Sequence, residues 1–235
     1  MTKNQQILAK VGGGSLALLL SLSLGQQASA TTLVSNLTTP SETLGSAVNY
    51  GSWVRSSFTT GSGIYGYTLN SVTLRFRQDV ANTNLFVSLY SDKDGALDLL
   101  KPITNFTNPS FTTSMIEDYI FTPTTPRILD ANTVYWLVAG ISSSGSGQYS
   151  WRRTNSTVPD GPGWSIGNNS LFSGNQGTTW NGSTGFTAHQ FSVNGTVNTS
   201  PPPPTNIPEP GSVVALLGLG GLGLASRLKK LSTRA

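Results

Sequence analysis

The sequence predicts an all-β fold, an antiparallel β-sandwich of jelly-roll type, and three observations point there. Charged residues make up only 10%, against five Trp, seven Tyr and nine Phe. An average soluble domain carries about 25% charge, and disordered chains are charged and poor in aromatics. Between residues 31 and 198, short apolar runs alternate with Gly, Asn, Asp and Ser at the spacing of a sandwich or barrel. No stretch in that span sustains a helical period of apolar residues. The 235 residues accommodate one sizeable domain with appendages. There is no cysteine, which excludes disulfides, cysteine zinc sites and thiol nucleophiles. The domain must therefore rest on its hydrophobic core, and 31–198 is long enough to bury one.

The formal charge of +4 is not a property of that domain. Residues 31–200 hold nine acidic side chains and eight basic ones. The excess sits at Lys3 and Lys10 and, near the other end, at Arg227, Lys229, Lys230 and Arg234. Nucleic-acid binding needs a clustered basic face, so no nucleic-acid partner is expected.

Residues 1–30 read as a secretory signal peptide with a signal helix. Lys3 and Lys10 precede a 14-residue apolar run, 11–24, and Ala28, Ser29 and Ala30 supply the small residues for signal peptidase. From 71 to 77, Val72, Leu74 and Phe76 alternate with Arg75 and Arg77, the period of a half-buried strand. Residues 85–90 are mixed, and 115–121 form a strand-like stretch carrying Glu117 and Asp118. The run 134–139 is apolar on both faces, which places it centrally. Residues 190–194 alternate again and close the domain. Residues 142–185, rich in Gly, Ser and Asn, read as long loops with short strands. A Pro-rich linker, 199–207, favours an extended polyproline II spacer.

The final segment, 208–235, has three parts. Pro208, Glu209 and Pro210 open it, an apolar helix over 211–226 follows, and a basic stretch, 227–235, closes it. This order resembles the PEP-CTERM sorting signal of exported proteins in Gram-negative bacteria that make exopolysaccharide. The resemblance implies recognition by an exosortase, export across the inner membrane, and a place at the cell envelope, cell surface or extracellular matrix. Sixteen helical residues rise about 24 Å, short of the roughly 30 Å hydrocarbon core. That suits a temporary hold in the inner membrane, with the basic end cytoplasmic.

The middle also resembles a family. The phrases at 58–61, 67–72, 87–92, 132–138 and 191–195, in that order, are similar to the choice-of-anchor extracellular domains, type R. That family implies a context and no activity.

No enzyme and no cofactor is expected. His189 is the only histidine. It shares strand parity with Phe191 and Val193, so it should face the core or its edge, and no nucleophile elbow accompanies it. Glu117 and Asp118, adjacent on a strand, should point to opposite faces and cannot flank one glycosidic bond. Asp92 and Asp94 before Gly95 begin like a calcium loop but lack the third ligand and the closing glutamate. A polar hairpin turn is the reading, with weak calcium contact the alternative.

The tryptophans carry the second functional expectation. Trp53, Trp151, Trp164 and Trp180 each lie close to Gly, Ser or Asn. Exposed aromatic faces stack on sugar rings, so these four form the contacts of a glycan-binding module. Trp136 is the tryptophan expected in the core. Arg152 and Arg153, beside Trp151, would meet an acidic polysaccharide. A secreted hydrolase, which would need two titratable groups to converge in one pocket, is the least favoured alternative to a protein with no catalytic role.

Overall fold

The computed structural model describes residues 30–41, 45–82, 84–93, 96–97, 102–156, 163–168, 170–182 and 188–202. The expected signal peptide apart from Ala30, the expected apolar tail helix and the sorting motif lie outside these residues.

The described chain is all strand and turn, without helix. In order the strands are β1 (Thr31–Ser35), β2 (Gly45–Val48), β3 (Trp53–Thr59), β4 (Tyr67–Val80), β5 (Leu85–Lys93), β6 (Ala96–Leu97), β7 (Thr104–Thr107) and β8 (Ile116–Pro123). Then come β9 (Arg127–Leu129), β10 (Val134–Ile141), β11 (Gln148–Thr154), β12 (Ser165–Ile166), β13 (Leu171–Ser173), β14 (Asn181–Gly182), β15 (Ala188–His189) and β16 (Phe191–Val197). All their ladders are antiparallel.

The sheet is continuous and curls on itself. Its path runs β1-β16-β4-β8-β7-β5-β10-β3-β13-β14. The 14-residue β4 organises the first limb. Along one edge it pairs β16 and then β11; along the other it pairs β9 and then β8. In the second limb β10 lies between β3 and β5. The short β7 joins the limbs, pairing β5 through Ser88–Leu89 and β8 through Thr122–Pro123.

Period-two alternation decides what each limb turns inward. Val72, Leu74 and Phe76 of β4 are fully buried, and so are Val193 and Phe191 of β16. Val54 and Phe58 of β3, Val87 and Leu89 of β5, and Leu137 of β10 face them in one core cluster. Phe58 and Phe191, from opposite limbs, meet with ring centroids 6.2 Å apart. The all-apolar run at 134–139 is central, as expected.

The two outer faces differ. On the first limb Arg75 grips Asp118 through two hydrogen bonds of 2.7 and 2.8 Å, Arg77 pairs Asp79 at 2.6 Å, and Asn194 Nδ2 donates to Ser71 and Thr73. The outer face of the second limb carries a separate apolar cluster built on Tyr90, Leu97, Trp136 and Val138.

The first and last strands of the described domain meet at one edge. Thr31 opens β1 opposite Gly195 of β16, so the strand start that follows Ala30 lies beside the strand end that leads into the proline run.

Candidate functional site

The outer face of the second limb is where aromatic side chains collect. On β10, alternate residues Val134, Trp136, Val138 and Gly140 share this face. Trp136 lies opposite Tyr90 on one side and Ser57 on the other; Val138 lies opposite Ser88 and Arg55. Gly140 is the position that admits Trp53. A Cβ there would sit 2.5 Å from Trp53 Cδ1, so the indole crosses the bare backbone. Trp53 then donates Nε1–H to Ile141 O at 3.2 Å and meets Phe86 edge-on, with centroids 4.7 Å apart at 75°.

Trp180 reaches the same face from the turn between β13 and β14. Asn175 Oδ1 accepts from Thr179 N at 2.8 Å, and Gly177 N donates to Ser173 Oγ at 2.8 Å. Gln176 (φ 55°) and Gly177 (φ 87°) take left-handed conformations, which reverses the chain in this turn. The ring then lies against Arg55.

Arg55 is the centre of the arrangement. Its guanidinium carbon is 4.2 Å from the centroid of Trp136 and 4.6 Å from that of Trp180. The residue is only 7% exposed. Burial lowers its pKa to about 10, against the opposing pull of Asp92. Ring faces attract a cation, but its Nε has no hydrogen-bond partner among the described residues, and neither does the buried Nε1 of Trp180. Asp92 is engaged, accepting Trp136 Nε1–H at 2.8 Å. Its expected calcium partner Asp94 lies outside the described residues.

The four tryptophans expected at a sugar separate into two pairs. Trp53 and Trp180 share the outer face and are half-buried. Trp151 is corrected: it is 0% exposed, in the middle of β11, with its Nε1–H on Gln190 O at 2.9 Å. Trp164 is corrected likewise. It is 7% exposed, stacked on Phe58 at 5.8 Å and edge-on to Tyr67 at 4.8 Å. Neither offers a free ring face, because each fills the main core. Trp136 is buried as expected, but under Arg55 on the outer face.

Arg152 and Arg153 do not act together. They alternate on β11, and Arg152, 6% exposed, lines a polar cleft of about 180 Å³ with Arg77, Asp79, Gln148 and Ser150 on the first limb. Arg153 lies on the other side, where its charge acts on His189.

His189 is completely buried and stacks on Trp151 at 4.6 Å. Nε2 is 2.9 Å from Ser46 Oγ and 3.4 Å from Ser170 Oγ. Nδ1 makes no hydrogen bond of full geometry, although the backbone of Arg55 acts on the ring; a triad histidine is oriented there by a carboxylate. Burial, with Arg153 adding, drives its pKa down to about 3. The histidine is neutral and holds two serines.

Sequence reasoning passed over Arg55, Phe86 and Tyr90. A signal was present: a central strand apolar on both faces needs something on its outer face, and Trp53 and Arg55 have the parity to supply it.

Residues 206–230 match the model of a family described as the PEP-CTERM protein-sorting motif. The match supports a C-terminally sorted protein, processed by an exosortase and exported across the inner membrane to the cell envelope or surface. A comparison with curated proteins found no match.

Proposed function

We propose that this exported, C-terminally sorted chain is a non-catalytic protein of the cell envelope or extracellular matrix, whose domain is a jelly-roll-like sandwich of the choice-of-anchor kind associated with exopolysaccharide. Signal peptidase releases it after Ala30, and the tail at 208–235 holds it in the inner membrane until exosortase acts. The observation that carries the reading is the sorting motif at 206–230. Two further features support it. The basic excess of the chain resides in the two signals. The β1–β16 pairing sets Thr31, where the mature protein would begin, opposite Gly195, a few residues before the proline run that precedes the sorting motif. Deleting 208–235 in a host that has an exosortase is expected to move the protein to another fraction, and intact-mass analysis of the wild-type mature protein should show loss of Arg227, Lys229, Lys230 and Arg234. A mature protein that still ends at Ala235, with unchanged location after deletion, would refute the reading.

A second reading is that the domain is a glycan-binding module. The observation favouring it is that Trp53, Phe86 and Tyr90, with Trp180 from the β13–β14 turn, gather on one sheet face. Buried interface tryptophans contribute roughly 2 kcal/mol or more each. Trp53→Ala and Trp180→Ala are each expected to weaken polysaccharide binding by about tenfold or more in affinity electrophoresis. Unchanged mobility in both variants would count against this face.

A further inference from the structure

Arg55 is buried, is clasped by two indoles, and takes part in no ion pair among the described residues. Desolvating a cation without a hydrogen-bonded anion is costly. Ring faces offset part of that cost, but they do not use the planar fork of donors that distinguishes arginine from lysine. Asp92 acts on it through its charge, with its Oδ1 committed to the Trp136 indole proton at 2.8 Å. An arginine kept in this state at the middle of an aromatic face is suited to an anion arriving from outside, with apolar rings beside it for the uncharged part of the same ligand.

We propose that Arg55 is the recognition centre of this face and that its ligand is an acidic glycan, the carboxylate of a uronate residue meeting the guanidinium while the pyranose ring lies against Trp180 or Trp53. This rests on the second reading above and gives it a substrate class. Carboxylate and guanidinium form parallel hydrogen bonds, and a sugar's axial C–H face packs on an aromatic ring. A single uronate therefore satisfies both halves of the site, whereas a neutral sugar leaves the arginine unpaired and a small inorganic anion leaves the rings uncovered.

The test uses the mature exported protein, with polygalacturonate and its methyl-esterified form as probes that share a backbone and differ in charge. Affinity electrophoresis and calorimetry are expected to show at least tenfold tighter binding to polygalacturonate. Arg55→Met, which keeps the stem between the rings, should lose that preference, and Arg55→Lys, lacking the fork, should lose most of it. Thermal unfolding of both variants checks the fold; replacing an unpaired buried charge by an apolar side chain is expected to leave it intact. Equal binding of both polymers would overturn the acidic class while leaving the glycan face in place. Preference undiminished in Arg55→Met would overturn the role of Arg55. Binding of neither polymer would overturn this proposal, and unaltered binding of other polysaccharides in that case would separate its failure from that of the glycan reading. Dextran sulfate binding as tightly as polygalacturonate, and losing its affinity in Arg55→Met, would overturn the carboxylate assignment in favour of a sulfated sugar.

Discussion

Trp151→Ala is expected to cost about 3–5 kcal/mol of stability, the range for truncating a large buried aromatic. Trp151 is wholly enclosed. It meets Phe76 edge-on at 5.6 Å and His189 in a stack at 4.6 Å, and its indole nitrogen serves Gln190 O at 2.9 Å. Removing it empties the junction of β4, β11 and β16 and takes away one of the two donors on Gln190 O, leaving Arg75 N at 3.2 Å. Domains of this size hold only about 5–15 kcal/mol in total. The melting temperature should fall by roughly 10 °C or more, read by near-ultraviolet circular dichroism of the mature protein. A shift under about 2 °C would mean that the ring does not fill the core. The same substitution at Trp180, on the outer face, is expected to cost far less stability, and the contrast separates the core tryptophans from those available to a ligand.

Acid should weaken the fold through His189. In the folded chain its pKa is lowered from 6.5 to about 3, so the unfolded chain binds a proton that the folded chain refuses between those values. The stabilisation is fully present above pH 6.5 and is lost as pH falls toward 3, at roughly 1.4 kcal/mol per pH unit. Between pH 7 and pH 4.5 the loss is roughly 3 kcal/mol. Whatever pH dependence the carboxylates add at the acid end, a variant at His189 shares that part. Urea titrations at the two pH values should therefore show His189→Gln losing about 3 kcal/mol less than wild type over this interval. Equal losses in the two proteins would refute a buried, neutral histidine.

Much of the fold was legible where strands announce themselves by alternation. Val72, Leu74 and Phe76 against Arg75 and Arg77 identified β4, and the doubly apolar run at 134–139 identified a central β10. Both depend on local pattern alone. β11 was less legible. It lies in a region of Gly, Ser and Asn that reads as loop, and its Tyr149 and Trp151 become core only because β4 and β2 pair with it. A tryptophan beside serine looks the same in a loop and in a strand until the partner strand is known.

The candidate site was legible by residue type and not by grouping. Tryptophans were marked as the contact residues, yet Arg55, Trp136 and Trp180 are brought together by the β3–β10 and β3–β13 ladders across 125 positions of sequence. Residues adjacent in sequence, Trp151 to Arg153, were instead divided between faces by the two-residue period.

By itself the sequence determined the β character of the domain, the neutrality of that domain within a basic chain, and the sorting motif that directs its export. These are matters of composition, period and linear order, and a processing enzyme reads them along the chain. Only the tertiary structure decided which tryptophans are core and which lie outside, and only it placed one arginine between two of them. Burial and stacking depend on which strands pair and in what register, and that register is set by contacts between residues far apart in the chain.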